Sequence, residues 1–312
     1  MTKYNFSNPQ NTSLKRKSTR WIRTKTIDYN KTKRKSNRGI VTIGQVLSQV
    51  FRRPYLSVLP GTSFAELGTF LATGHQIYVD GLIVAADKRL VGRLSGKHIL
   101  DRILRMNYQE WSRVTASELM EGRPSSIELD STLDQLFRLF EETRFALAPV
   151  TKKGVLIGSI GIRDLLPLIV DLNLDAYVRT IGSPIISFSP EKTLKNAIEL
   201  MLKKNIRNLV VPSSVDDTHY FINDRKILEF IFSYNGRKIM KQGDGATALN
   251  SINVGNLDMI PVVSIPEETT ISNAAAMLED INTPGLVLKN IVITPWDVVM
   301  KSNHFDMYGS KY

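Results

Sequence analysis

The sequence contains no cysteine. That absence removes disulfides, thiolate metal sites and cysteine nucleophiles together, and it fits a cytoplasmic protein. Histidine is scarce: residues 75, 98, 219 and 304 are scattered, and no metal site is expected from them. Long apolar runs are missing too. LLPLIV at 165–170 is far shorter than the ~20 residues that a membrane helix requires, and the amino terminus has no apolar core of a secretion signal. No GxxxxGK[ST] loop and no other catalytic constellation occurs, so the chain is expected not to be an enzyme.

Acidic residues are nearly absent from residues 1–38, where twelve Lys and Arg face only Asp28. This segment carries the whole excess of +11, and residues 39–312 hold 29 charges of each sign. Rich in Asn, Thr and Ser and poor in apolar residues, it reads as a disordered basic arm. Its clusters KRKSTRWIR and KTKRKSNR place Lys15, Arg16, Lys17, Arg20, Arg23, Lys33, Arg34 and Lys35 beside Trp21 and Tyr29. Phosphate contacts with DNA or RNA, helped by occasional stacking, are one use of such an arm. A solubilising tail, a contact with an acidic protein and a targeting segment are others.

The body, 42% hydrophobic overall, repeats one pattern four times: VLPGTSF (58–64), IELDSTL (127–133), FSPEKTL (188–194) and IPEETTI (265–271). Each places an apolar residue six positions before another apolar residue that follows Ser or Thr. Behind each comes helical spacing, as in Leu133, Leu136, Phe137 and Phe140, or Leu194, Ala197, Ile198 and Met201. The β-rich runs QIYV, ALAPV, NLVVP and GLVL follow, then a second strand and a closing helix. The fold class expected is α+β, with four β-α-β-β-α units too small to stand alone and packed in pairs through their sheets. The seam between pairs falls near 170–177, and the glycine-containing stretch 234–250 reads as a loop.

The stretch 114–166, VTASELMEGRPSSIELDSTLDQLFRLFEETRFALAPVTKKGVLIGSIGIRDLL, resembles a CBS domain, the cystathionine beta-synthase type repeat. The resemblance extends over about 40–303 and divides the chain into repeats at 39–110, 111–172, 173–234 and 251–304. The arm at 1–38, a linker loop at 235–250 and a tail at 305–312 complete it. Four such repeats, packed as two Bateman modules, are similar in plan to the gamma subunits of AMP-activated protein kinases. The resemblance implies clefts for an adenine nucleotide (AMP, ADP or ATP) or S-adenosylmethionine, a regulatory role and a protein partner still to be identified. It also implies either a monomeric disc or a homodimer.

In that family the second strand-to-helix turn offers a Ser or Thr and, three residues on, an Asp to a ribose. Here Thr294 and Asp297 keep the pair, with Met259 and Ile260 expected as walls for the base. The same residues make a helix cap, with Pro295 at the first helical position. An Asp can accept both hydroxyls of a ribose diol, while the N–H groups of a helix start favour a phosphate. Asp164 persists in the second turn beside Gly161, and Ser95 in the first beside His98, so each is a partial site. The third turn has Asn223 and Lys226 and is expected to be empty or to supply only cleft walls. By the same resemblance, Arg207 and His75 stand where relatives carry basic groups facing phosphates, although a solvated or packed role fits both. Trp296 is expected to pack over the turn and Lys289 to be a solvated charge.

Overall fold

The computed structural model describes residues 41–52, 55–73, 80–122, 124–213 and 218–302. The Ser or Thr of each repeated pattern stands at the start of a helix: Phe64–Thr73, Leu133–Thr143, Leu194–Lys204 and Ile271–Leu278. Thr132, Thr193 and Thr270 accept from the backbone N–H three residues on, at 3.3, 3.3 and 3.2 Å. Such a bond satisfies one of the donors that a helix start leaves unpaired. The buried faces are those read from spacing, with Leu133, Leu136, Phe137 and Phe140 inside in the second unit and Ile271, Ala274, Ala275 and Leu278 inside in the fourth.

After each helix comes an antiparallel strand pair: Leu82–Ala86 with Arg89–Leu94, Leu147–Lys152 with Val155–Gly161, Asn208–Pro212 with His219–Asn223, and Leu286–Leu288 with Ile291–Ile293. In the first unit the central strand lies downstream of the expected QIYV run, because the buried LIVAA segment pairs with both Ser57–Val58 and Arg89–Leu94. QIYV itself, at 76–79, falls outside the described residues. The closing helices are Gly96–Ile103, Leu166–Asp171 (after the 3-10 turn Ile162–Leu165), Asp224–Phe232 and Pro295–Lys301.

The units are joined in two directions. Sheets pack in sequential pairs, Ile83 and Ala85 against Leu147 and Leu156, and Val210 and Phe221 against Val287. Helices pack across the pairs: the first and third units share one core and the second and fourth share the other. Phe64, Trp111 and Phe232 mark the first of these, with ring centroids 5.3 and 4.9 Å from Trp111. Three lead-in segments add an edge strand to a unit that is not their own. Glu121–Gly122 joins the first sheet, Ser183–Pro184 the fourth and Ile260–Pro261 the third.

Residues 234–250 are not a loop. Tyr234–Met240 and Gly245–Asn250 are helices, started by Ser233 accepting from Gly236 N (3.1 Å) and Asp244 accepting from Thr247 N (2.9 Å). Among the described residues, no helix is long and apolar enough to cross a membrane.

Candidate functional site

The turns between second strand and closing helix converge on one cavity of about 1540 Å³, with walls from all four units. At its fourth-unit wall Thr294 and Asp297 form a complete capping box: Thr294 N and Oγ1 donate to Asp297 Oδ2 at 2.9 and 2.6 Å, and Asp297 N donates to Thr294 Oγ1 at 3.3 Å. The other oxygen, Oδ1, accepts from Ser183 Oγ (2.8 Å) and pairs with Lys301 Nζ (2.7 Å). The Asp297 side chain is 6% exposed, and all the lone-pair directions of its carboxylate are engaged. A further donor would reach Asp297 only by displacing Ser183 or Lys301 from Oδ1.

Met259 and Ile260 line the cavity but not beside this turn. Ile260 pairs with Phe221, which puts both against the third unit. The fourth turn is instead faced by Ser183 and Pro184, because the lead-in segments are exchanged between units of a pair. Trp296 lies at the cavity wall and packs its ring edge on Phe140, 6.4 Å between centroids. Lys289 is ion-paired with Glu267 rather than solvated alone.

In the second turn Gly161 N donates to Asp164 Oδ2 at 2.6 Å. In the first, Ser95 N donates to His98 Nδ1 at 3.1 Å, so Nδ1 is the acceptor and a neutral ring carries its proton on Nε2. Burial lowers the His98 pKa below the ordinary value, against the pull of Glu121, and favours that neutral form. His98 thus replaces an Asp as the cap but not as a charged acceptor. The third turn caps itself through Asn223, which accepts from Lys226 N at 2.9 Å, while Lys226 Nζ pairs with Asp258 and Glu229 at 3.0 and 3.1 Å.

The most connected charges lie between these turns. Arg207 donates to Asp224 Oδ2 through Nε (2.9 Å) and to Asp80 Oδ1 through a terminal nitrogen (3.1 Å), and Arg225 donates to the same Asp80 oxygen (3.0 Å). Burial works against the Arg207 charge, but Asp224 and Asp80 outweigh it and raise its pKa. Arg163 reaches across to the fourth unit and donates to the carbonyls of Leu278, Asp280 and Thr283, the last at 2.7 Å. Burial, with Arg225 and Arg207 nearby, lowers its pKa to about 9. The sequence pointed to Arg207 alone here. Asp80, Asp224, Arg225 and Arg163 give no local signal, because their partners come from other units. His75 and the arm residues Lys15, Arg16, Lys17, Arg20, Arg23, Lys33, Arg34 and Lys35 lie outside the described residues. Among the described residues no group of His, Asp and Glu could hold a metal ion.

The family model for the CBS domain matches residues 116–171 and 178–233. These two stretches are CBS domains. The first and fourth units repeat the same order of elements outside the matched ranges. No curated protein matches the chain. Among solved structures, a Methanocaldococcus jannaschii protein described as a proposed archaeal homologue of g-AMPK is 18% identical. The match covers 85% of this chain and 100% of that one, with a TM-score of 0.70, which shows a shared fold across the CBS repeats. An uncharacterised conserved protein of Pyrococcus horikoshii is 15% identical over 71% of this chain and 90% of that one (TM-score 0.45). A CBS-domain containing protein of Agrobacterium tumefaciens is 24% identical over 39% and 97% (TM-score 0.35).

Proposed function

We propose that this CBS-domain protein is a regulatory module that binds an adenosyl ligand in the central cavity and passes its occupancy to a protein partner. The observation that carries the reading is the convergence of four strand-to-helix turns on one cavity of about 1540 Å³, with Thr294 and Asp297 at its wall. In this reading Asp297 takes the ribose hydroxyls in exchange for Ser183, Pro184 supplies an apolar wall, and Asp164 and Ser95 mark weaker positions. Because every unit contributes to the wall, a ligand that fits one arrangement of the units better than another shifts their balance, with coupling of ~1 to 3 kcal/mol. Binding is the whole activity, without a catalytic step. The repeats are taken as 39–110, 111–172, 173–234 and 251–304, and one chain completes both modules, so a cytoplasmic monomeric disc is the form proposed.

Calorimetric titration of the full chain with AMP, ADP, ATP and S-adenosylmethionine tests this, beside Asp297→Asn, which keeps a cap acceptor but removes the charge. Saturable binding of one of them, weakened at least tenfold in the variant, is expected. Binding of none, or equal binding by the variant, would sink the assignment. A second reading rests on charge: the excess of +11 is confined to residues 1–38, and the rest is neutral. This favours an arm that contacts DNA or RNA by steeply salt-dependent attraction. Polyanion binding that persists after deletion of residues 1–38 counts against it.

A further inference from the structure

Asp80 immediately precedes the Gly81 that leads into Leu82–Ala86, and its side chain is 6% exposed. It lines the cavity and belongs to the first unit, whereas both guanidiniums on its Oδ1, those of Arg207 and Arg225, belong to the third. Its second oxygen, Oδ2, is buried and has no hydrogen-bond partner among the described residues. That oxygen sits 3.1 Å from where a Cβ would stand on Gly161, so the second turn closes off the space into which it could swing. A carboxylate tends to be buried only when paired, and this one is paired on one side alone.

The consequence for a ligand follows from charge. An Arg pair in a cavity is the usual receiver of a phosphate. Here that position already holds the Asp80 carboxylate, and Asp224 accepts from Arg207 Nε. The wider lining is balanced, with eight basic and eight acidic side chains, and offers no net attraction for a polyphosphate. A phosphate brought to Arg207 and Arg225 would meet Asp80 at close range, where like charges repel.

We infer that Asp80 sets the charge of the ligand: it occupies the place of a phosphate in front of Arg207 and Arg225, so the cavity selects an adenosyl compound without a polyphosphate chain. The inference rests on the adenosyl reading above and names the ligand class for that site. A ligand bearing a hydroxyl or a cationic group is favoured near the carboxylate, and one bearing three phosphates is disfavoured. Asp80 is here a specificity-determining residue, and the turn hydroxyls and carboxylates remain the binding groups.

Titration of the full chain with adenosine, S-adenosylmethionine and ATP, for wild type and Asp80→Asn, tests this. Adenosine and S-adenosylmethionine are expected to bind wild type at least tenfold more tightly than ATP. Asp80→Asn should improve ATP at least tenfold and change adenosine less than threefold. Wild type preferring ATP over adenosine overturns the inference on its own, even if the variant fails to fold. Equal weakening of ATP and adenosine in a folded variant also overturns it, since Asp80 is then only structural. Binding of none of the three removes the adenosyl reading, and this inference with it. Adenosine binding together with a preference for ATP removes this inference alone.

Discussion

Gly161→Ser restores the hydroxyl that the second turn lacks, and its effect on stability can be worked out from the surroundings. Gly161 is the residue before the 3-10 turn, with φ −88° and ψ 158°, an extended conformation that any residue adopts. A Cβ there would lie 3.1 Å from Asp80 Oδ2, 3.5 Å from Asp164 Oδ2 and 3.8 Å from Ala146 O, so the Asp80 carboxylate must yield by a few tenths of an ångström. Serine adds a donor within reach of an acceptor that has no partner among the described residues. Serine over glycine at a cap is worth a few tenths of a kcal/mol, and a hydrogen bond to a charged group about 1.5 to 3. After the squeeze on Asp80, a net gain of about 1 to 2 kcal/mol is expected. Alanine brings the same Cβ without the donor and lacks a cap acceptor, so Gly161→Ala should be neutral or lose about 1 kcal/mol. Urea denaturation followed by circular dichroism, compared at constant slope, reads the difference. Repeating the pair with Asp80→Ala should shrink the serine advantage to the cap contribution, about 0.5 to 1 kcal/mol. Serine no better than alanine, or an advantage unchanged without Asp80, refutes the reasoning.

Asp297→Ala removes the cap acceptor, the Ser183 bond and a half-exposed Lys301 pair, and should lower stability by about 2 to 3 kcal/mol, against about 1 for Asp297→Asn, in the same urea assay. Gly68→Ala would put a Cβ 1.8 Å from the Phe232 ring, in the packing of the first unit on the third. A loss of about 1 to 3 kcal/mol is expected, relieved by Phe232→Leu, whereas a gain of the size seen for Gly→Ala in an exposed helix would contradict that packing. His98 has a folded pKa below its ordinary 6.5, so the unfolded chain takes up the proton more readily. Stability should therefore be full above about pH 6.5 and fall as pH drops below it toward the folded value, a limb that His98→Asn should flatten in urea midpoints measured across that range.

The four helices were legible because their signals are local. A Ser or Thr, then apolar residues at helical spacing, fixes a start and a buried face within about ten residues, and Thr132, Thr193 and Thr270 stand as those signals require. The region 234–250 misled because its glycines outweigh two caps, Ser233 and Asp244, that lie at its punctuation points. The unit against which Met259 and Ile260 sit was hidden for a different reason. Sequence order suggests that the segment leading into a unit belongs to that unit's cleft, yet two-residue edge strands such as Ile260–Pro261 and Ser183–Pro184 have no periodicity from which their partners can be read.

The same division runs through the candidate site. Thr294 and Asp297 lie three residues apart at one helix start, so the cap could be read from the sequence, while Lys301 pairs from one turn further on and Ser183 comes from afar. Arg207 could be picked out as a basic residue before a strand, but its chemistry depends on Asp80, 127 positions earlier, which closes on it only when the first unit packs on the third. A guanidinium alone would argue for phosphate, and the carboxylate brought to it by folding argues against. Where the decisive charge is supplied by another repeat, the ligand's charge is set by how the units pack and cannot be read from any one of their turns.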